Sequence, residues 1–205
     1  MRYGMAIDLK RCIGCHTCAV ACKQINNLPK KMWWNRILTV GGEEIDTPAG
    51  TYPNNKLEYI PINCQHCDNA ACVKACPVGA TYKREEDGIV IQDAELCIGC
   101  RMCMVACPYN ARSFNWSKPE YYIDHAVGDL DAPVHQYNTV SKCTFCVHRL
   151  AKGENPACII TCTAVARFFG DLDDPDSDVS RAIRGRNSVK LLAEKGTEPS
   201  VYYLT

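Results

Sequence analysis

The sequence predicts an α+β chain of short strands, short helices and long loops, built as two modules related by a nested pseudo-twofold repeat. Three observations carry that prediction. The 205 residues include 16 cysteines, which fall into four groups of four with none left over. Every group ends in the same C-x3-C spacing, an internal repeat. The second and third groups are separated by only the 20 residues 77–96, room for one β-hairpin and little else.

The third group is the most specific. Cys97, Cys100, Cys103, Cys107 and Pro108 read C-x2-C-x2-C-x3-C-P, the bacterial ferredoxin run for a [4Fe–4S] cluster. Three thiolates two residues apart wrap one corner of a cubane, and the fourth, one helical turn on, points toward a second cluster. The first group is Cys12, Cys15, Cys18 and Cys22, with the same spacing. The second is Cys64, Cys67, Cys72 and Cys76, spaced C-x2-C-x4-C-x3-C-P, and the fourth is Cys143, Cys146, Cys158 and Cys162, spaced C-x2-C-x11-C-x3-C. The two modules are therefore expected to be ferredoxin-like.

Composition narrows the alternatives. Lys+Arg and Asp+Glu number 23 each, so the net charge is zero, which argues against a nucleic-acid binder. No run of about 18 apolar residues predicts a membrane span; the greasiest segment, 157–169, is interrupted by Thr161, Thr163 and Arg167. The first eight residues hold neither a long apolar region nor a twin arginine, so no export signal is expected. Without secretion, many cysteines point to metal rather than disulfides.

The elements follow in order. Residues 3–9 alternate loosely and predict a strand leading into the first cysteine loop. Residues 17–23 suit a short helix carrying Cys18 and Cys22 on one face. Residues 26–50 read as an extended connection with a short hairpin around Gly41-Gly42, and Trp33 and Trp34 as partial core, ahead of the alternative of a contact surface. Residues 56–62 form a strand delivering the second group. Two β-prone runs in 80–91 flank Glu86-Asp87-Gly88, a hairpin with glycine at the turn. Residues 117–140 make a polar, aromatic surface insertion, whose Tyr121, Tyr122, His125, His135 and Tyr137 serve either as a docking surface or as ordinary loop packing. Ser177 caps a helix running to about Arg184, and residues 201–204 form a terminal strand or a docked end.

These elements divide into an inner two-cluster module, 56–116, an outer module of 1–55 plus 141–205, and the insertion 117–140. In a two-cluster unit the fourth cysteine of each run ligates the other cluster. The inner sites are then Cys64, Cys67, Cys72 with Cys107, and Cys97, Cys100, Cys103 with Cys76. Groups one and four then pair around them, Cys12, Cys15, Cys18 with Cys162 and Cys143, Cys146, Cys158 with Cys22; the alternative, one with two and three with four, breaks the compact 20-residue unit. Four complete sets imply four [4Fe–4S] clusters. Zinc prefers two well-separated C-x2-C pairs, and the C-x3-C-x2-C triad that leaves one iron open for radical chemistry is absent. With every cubane fully ligated, the chain carries electrons and has no catalytic residue of its own. His66 and His148 lie beside cysteines but are not needed as ligands. Arg101 either tunes the third group's cluster or is a surface arginine, and Pro77 and Pro108 shape the chain after their cysteines.

The four groups, the Ile7-Asp8 strand, Cys97-Ile98-Gly99-Cys100 and Lys142-Cys143-Thr144-Phe145-Cys146-Val147-His148-Arg149 together resemble one family. It is the four-cluster iron–sulfur subunit of dimethyl-sulfoxide-reductase-type molybdopterin oxidoreductases, including dimethyl sulfoxide, polysulfide and arsenate reductases. Gly170-Asp171-Leu172-Asp173-Asp174-Pro175 is similar to the polysulfide and arsenate branch. Thr163 departs from the family, where proline often follows the last cysteine, which bears on local loop shape and leaves Cys162 intact. The resemblance implies a relay between a large catalytic subunit holding bis-molybdopterin guanine dinucleotide and a quinol-linked membrane subunit or other redox partner. It places the clusters of groups one and four nearer the molybdenum and that of the Cys97 group outermost on the membrane side. It also implies a peripheral, membrane-associated complex, exported folded with a signal-bearing partner or else cytoplasmic. A free soluble polyferredoxin, or a subunit of a hydrogenase or formate dehydrogenase, remains the alternative.

Overall fold

A computed structural model describes residues 1–205. It is a small mixed α/β chain in which no helix is long and apolar enough to cross a membrane.

The first strand, β1 (Tyr3–Asp8), is followed by helix α1 (Thr17–Ile25). Strands β2 (Arg36–Thr39) and β3 (Tyr59–Ile62) pair antiparallel, with Ile37 opposite Pro61. This differs from the local hairpin expected around Gly41-Gly42. Those glycines open a long excursion, and β2 finds its partner beyond it, because the only closure inside the excursion is a single bridge between Ala49 and Lys56. The strand expected from residue 56 accordingly begins at Tyr59. Helix α2 (Ala71–Lys74) leads into the hairpin β4 (Thr81–Lys83) and β5 (Val90–Gln92), with Gly88 at φ 72° in the turn. Helix α3 (Met102–Val105) follows, and the short pair β6 (Ser113–Phe114) and β7 (Val140–Ser141) closes the stem of the insertion. Residues 117–139 contain no helix or strand.

The last third supplies helices α4 (Val147–Leu150) and α5 (Ala157–Ile160), strand β8 (Arg167–Asp171), helix α6 (Asp178–Ile183), and strands β9 (Ser188–Val189) and β10 (Val201–Leu204). Ser177 caps α6 as expected, its hydroxyl oxygen accepting from the Ser180 N–H at 3.2 Å. The terminal strand is present too, in a position that the sequence pattern does not indicate. It lies inside a four-stranded sheet of order β8-β1-β10-β9, parallel to β1, with Met5 opposite Val201 and Ile7 opposite Tyr203.

Strand periodicity gives this sheet two covered faces. Ala6 and Leu204 meet Val179 of α6 on one side. Met5, Ile7, Phe169, Val201 and Tyr203 face the other way, into a core that also contains Cys18, Cys22, Cys64, Cys143 and Cys158. The sheet thus joins the two chain ends into a floor beneath the cysteine loops. Trp34 is buried in the same core, its indole N–H donating to Ser141 at 3.1 Å, while Trp33 is exposed under the Lys23 ammonium.

Two outcomes are expected from this packing. Ile7→Ala should lower the unfolding free energy of the metal-loaded chain by about 2–5 kcal/mol, because Ile7 is fully buried and its loss leaves a cavity; denaturant titration measures it. Ser177→Ala should cost about 1 kcal/mol and speed amide exchange in the first turn of α6 without affecting the cysteine loops.

Candidate metal centres

Each C-x3-C spans one short helix. Cys18 and Cys22 lie on α1, Cys72 on α2 with Cys76 just beyond it, Cys103 on α3 with Cys107 beyond, and Cys158 on α5 with Cys162 beyond. A three-residue gap puts the two thiols on the same helical face one turn apart. The loops before the helices are bent by left-handed residues. Gly14 and His16 flank Cys15 with φ of 68° and 58°, and Gly99 and Arg101 flank Cys100 with φ of 71° and 62°. A side chain at Gly14 would also run into the Tyr59 ring at 2.4 Å, and one at Gly99 into the Asn138 carbonyl at the same distance. Such loops turn successive backbone N–H groups inward.

The sixteen cysteines line four cavities. The first is lined by Cys12, Cys15, Cys18 and Cys162. The second is lined by Cys64, Cys67, Cys72 and Cys107. The third is lined by Cys76, Cys97, Cys100 and Cys103. The fourth is lined by Cys22, Cys143, Cys146 and Cys158. Three cysteines in each come from one group and the fourth from another. Soft thiol donors in mostly apolar walls suit an iron–sulfur group.

The cavities are also neighbours. The charge of Cys18 in the first raises the Cys158 thiol of the fourth, that of Cys64 in the second raises Cys143 of the fourth, and that of Cys72 in the second raises Cys103 of the third. Burial above all, with mutual repulsion added, pushes the Cys22 and Cys143 thiols well up and the Cys67 and Cys158 thiols up to about 12. As bare groups these side chains therefore stay protonated, and only a positively charged ligand draws the thiolates out. Backbone donors are already aimed at sulfur: Phe145 N–H to Cys143 Sγ at 3.4 Å, Thr81 N–H to Cys76 Sγ at 3.4 Å, and Ala166 N–H to Cys162 Sγ at 3.2 Å. The Asn26 amide lies 3.7 Å from Cys22 Sγ and 3.8 Å from Cys146 Sγ.

The remaining candidates are placed as follows. His66 is fully buried, stacked on Phe145 with ring centroids 3.7 Å apart, and accepts from the Val90 N–H at 3.2 Å. His148 is buried with Nε2 3.2 Å from Asp129. Neither lines a cysteine cavity. Arg101 does line the third cavity, and its guanidinium stacks over Trp116 at 4.7 Å. Pro108 lines the second cavity and Pro77 none. Thr163 contributes more than loop shape, since its hydroxyl lies 3.4 Å from Cys15 Sγ and helps hold that thiol below its ordinary pKa. Tyr121, Tyr122, His125 and His135 line a groove against α1, with the His135 ring N–H donating to the Asn26 carbonyl at 3.0 Å; Tyr137 is exposed outside it.

Three buried cations escape sequence reasoning: Arg112, Lys142 and Arg167. Lys142 donates to the Val90 and Cys143 carbonyls, the latter at 2.8 Å. A signal for the two arginines is present, because Cys107 and Cys162 are each followed by x3-A-R, giving Ala111-Arg112 and Ala166-Arg167.

The chain matches two models, each described as a 4Fe-4S dicluster domain, one over residues 55–122 and 131–172 and the other over 11–80. It is 52% identical, over 98% of its own length and 78% of the relative's, to a Halobacterium salinarum protein named as a candidate iron–sulfur subunit of dimethyl sulfoxide reductase. It is 40% identical to the arsenate respiratory reductase iron–sulfur subunit of a Shewanella species, over all of this chain and 96% of the relative. A subunit of the selenate reductase of Mesobacillus selenatarsenatis is 41% identical over 98% of this chain and 71% of the relative. Paired ferredoxin-type domains and these full-length likenesses agree with the cysteine-lined interior: the chain belongs to the family of [4Fe–4S] electron-transfer subunits of dimethyl-sulfoxide-reductase-type oxidoreductases.

Proposed function

We propose that this chain holds four [4Fe–4S] clusters and relays single electrons between a molybdopterin-containing catalytic subunit and a second redox partner, a quinol-linked membrane subunit where one is present. The observation that carries this reading is the division of sixteen cysteines among four cavities, each taking its fourth thiol from another group. On this reading Cys12, Cys15, Cys18 and Cys162 hold one cluster, and Cys22 joins Cys143, Cys146 and Cys158. Cys107 completes the set of Cys64, Cys67 and Cys72, and Cys76 that of Cys97, Cys100 and Cys103. The modules are then the inner 56–116 and the outer 1–55 plus 141–205, related by a nested pseudo-twofold repeat, with 117–140 as the insertion.

When bound, such clusters supply one-electron carriage at potentials set by charge, hydrogen bonding and burial. The chain's part is to fix spacing and exclude water. The charge-coupled pairs Cys18–Cys158, Cys143–Cys64 and Cys72–Cys103 support a linear order of first, fourth, second and third cavity. Both ends of that order reach the surface. Cys15 is exposed two residues from the exposed Ile13, and Cys100 two residues from the exposed Ile98 and Met102. Exposed apolar residues around a terminal site suit docking to a partner. The relatives are named as subunits of dimethyl sulfoxide, arsenate and selenate reductases, which favours a complex over a free polyferredoxin and leaves substrate choice to the catalytic partner. On this reading the complex is peripheral to the membrane, either exported folded beside a signal-bearing partner or cytoplasmic.

Anaerobically purified chain should contain about 16 irons, four per site. Cys107→Ala should abolish the electron paramagnetic resonance signal that Cys64→Ala abolishes and spare the one lost in Cys97→Ala; loss of the Cys97 signal instead would refute the cross-sharing. Iron removal by chelator should abolish the cooperative thermal transition, because five buried cysteines belong to the main core and metal binding is coupled to folding. An iron-free chain melting at an unchanged temperature would contradict this.

A further inference from the structure

Buried charge in this protein is distributed unevenly. The buried carboxylates have cationic partners: Asp8 pairs with Arg186 at 2.6 Å and Asp87 with Arg84 at 3.1 Å. The buried arginines do not. Arg112 and Arg167 are 5% and 3% exposed, and neither forms an ion pair with a carboxylate. An unpaired guanidinium in a protein interior is costly, so its counter-charge has to come from something else nearby.

The placement of the two side chains identifies it. Arg112 lines the second cavity, while its Nη1 donates to Thr81 at 3.2 Å and Gln92 at 3.1 Å, both of which line the third. Its Nη2 is buried with no protein acceptor. Arg167 lines the first cavity, while Nη1 lies 3.4 Å from Asn63 and Nη2 3.1 Å from Asn35, both of which line the fourth. Each arginine therefore stands in the wall between two cavities, anchored by amides or hydroxyls of the far one. Both occupy the same place in the repeat, five residues after the last cysteine of their groups. Arginine keeps its charge in protein interiors, so each guanidinium brings a full positive charge to the wall it occupies.

We propose that Arg112 and Arg167 are positioning residues that act as shared counter-charges, Arg112 raising the reduction potentials of both clusters in the second and third cavities and Arg167 those of both clusters in the first and fourth. This rests on the four-cluster reading. A fixed cation favours the reduced, more negative state of each cluster within its reach. Because one cation serves two sites, it shifts both potentials in the same direction and changes their difference little. Arg101, exposed and stacked over Trp116 beside the third cavity alone, has no such double reach.

The test uses the full-length chain purified anaerobically with its clusters. Midpoint potentials come from redox titration followed by electron paramagnetic resonance, with signals assigned through the single-cysteine variants above. Arg112→Gln should lower the potentials of both inner clusters and leave the outer two unchanged; Arg167→Gln should do the converse, and Arg112→Lys and Arg167→Lys should retain most of the wild-type values. Where a glutamine variant loses clusters, loss of the paired two, about half the iron, with retention in the lysine variant supports the same role. A shift confined to one cluster, an equal shift of all four, no shift, or a lysine variant as impaired as glutamine overturns it. Wild-type chain without iron would defeat the four-cluster reading itself, whereas iron-replete wild type with unmoved variants defeats only this inference.

Discussion

The structure depends on a geometric constraint inside four very short helices. A C-x3-C segment on a helix must present its two thiols on one face, a turn apart. Here the two thiols of each such segment line different cavities: Cys18 the first and Cys22 the fourth, Cys72 the second and Cys76 the third, Cys103 the third and Cys107 the second, Cys158 the fourth and Cys162 the first. The separation of neighbouring cavities is thereby tied to the pitch of a helix, about 5.4 Å, rather than to the packing of loops. A relay needs closely and reproducibly spaced carriers, and this arrangement supplies the spacing from local backbone geometry.

Such an interior has a charge problem. Thiols crowded and dehydrated as these are resist ionisation, and once ionised they place many negative charges in a small apolar volume. The chain answers with backbone N–H donors at Cys76, Cys143 and Cys162, and with buried cations that have no carboxylate of their own. The sheet beneath contributes to both needs. Its core face supplies Met5, Ile7, Val201 and Tyr203 as packing and Arg167 as charge, while its other face is sealed by α6.

Local chemistry is legible because it is local. Cysteine spacing, the Ser177 cap, the Gly88 turn and the α1 helix all follow from residues within a few positions of each other. The long-range partners are less legible. Residues 36–39 read as part of a connection with a hairpin near Gly41-Gly42 because a nearby turn is the simplest partner, yet the register of β2 is set by β3 across the excursion. The parallel pairing of β1 with β10 joins residues almost two hundred positions apart, and no pattern within either strand encodes it. Arg112 and Arg167 are hidden for a related reason: an isolated arginine in an apolar stretch looks like an interruption until the thiols around it are seen.

By itself, the sequence determined the ligand chemistry of this protein, the number of cysteine sets and the family, because metal-binding motifs are short and their spacing is dictated by the metal group they serve. Only the tertiary structure decided that the cysteine sets read from the spacing gather around four enclosed cavities, that the two chain ends close into one sheet, and that a buried guanidinium stands between the first and fourth cavities and another between the second and third. Those features depend on contacts between distant segments, and burial, which sets their energies, is a property of the folded chain rather than of any stretch of it.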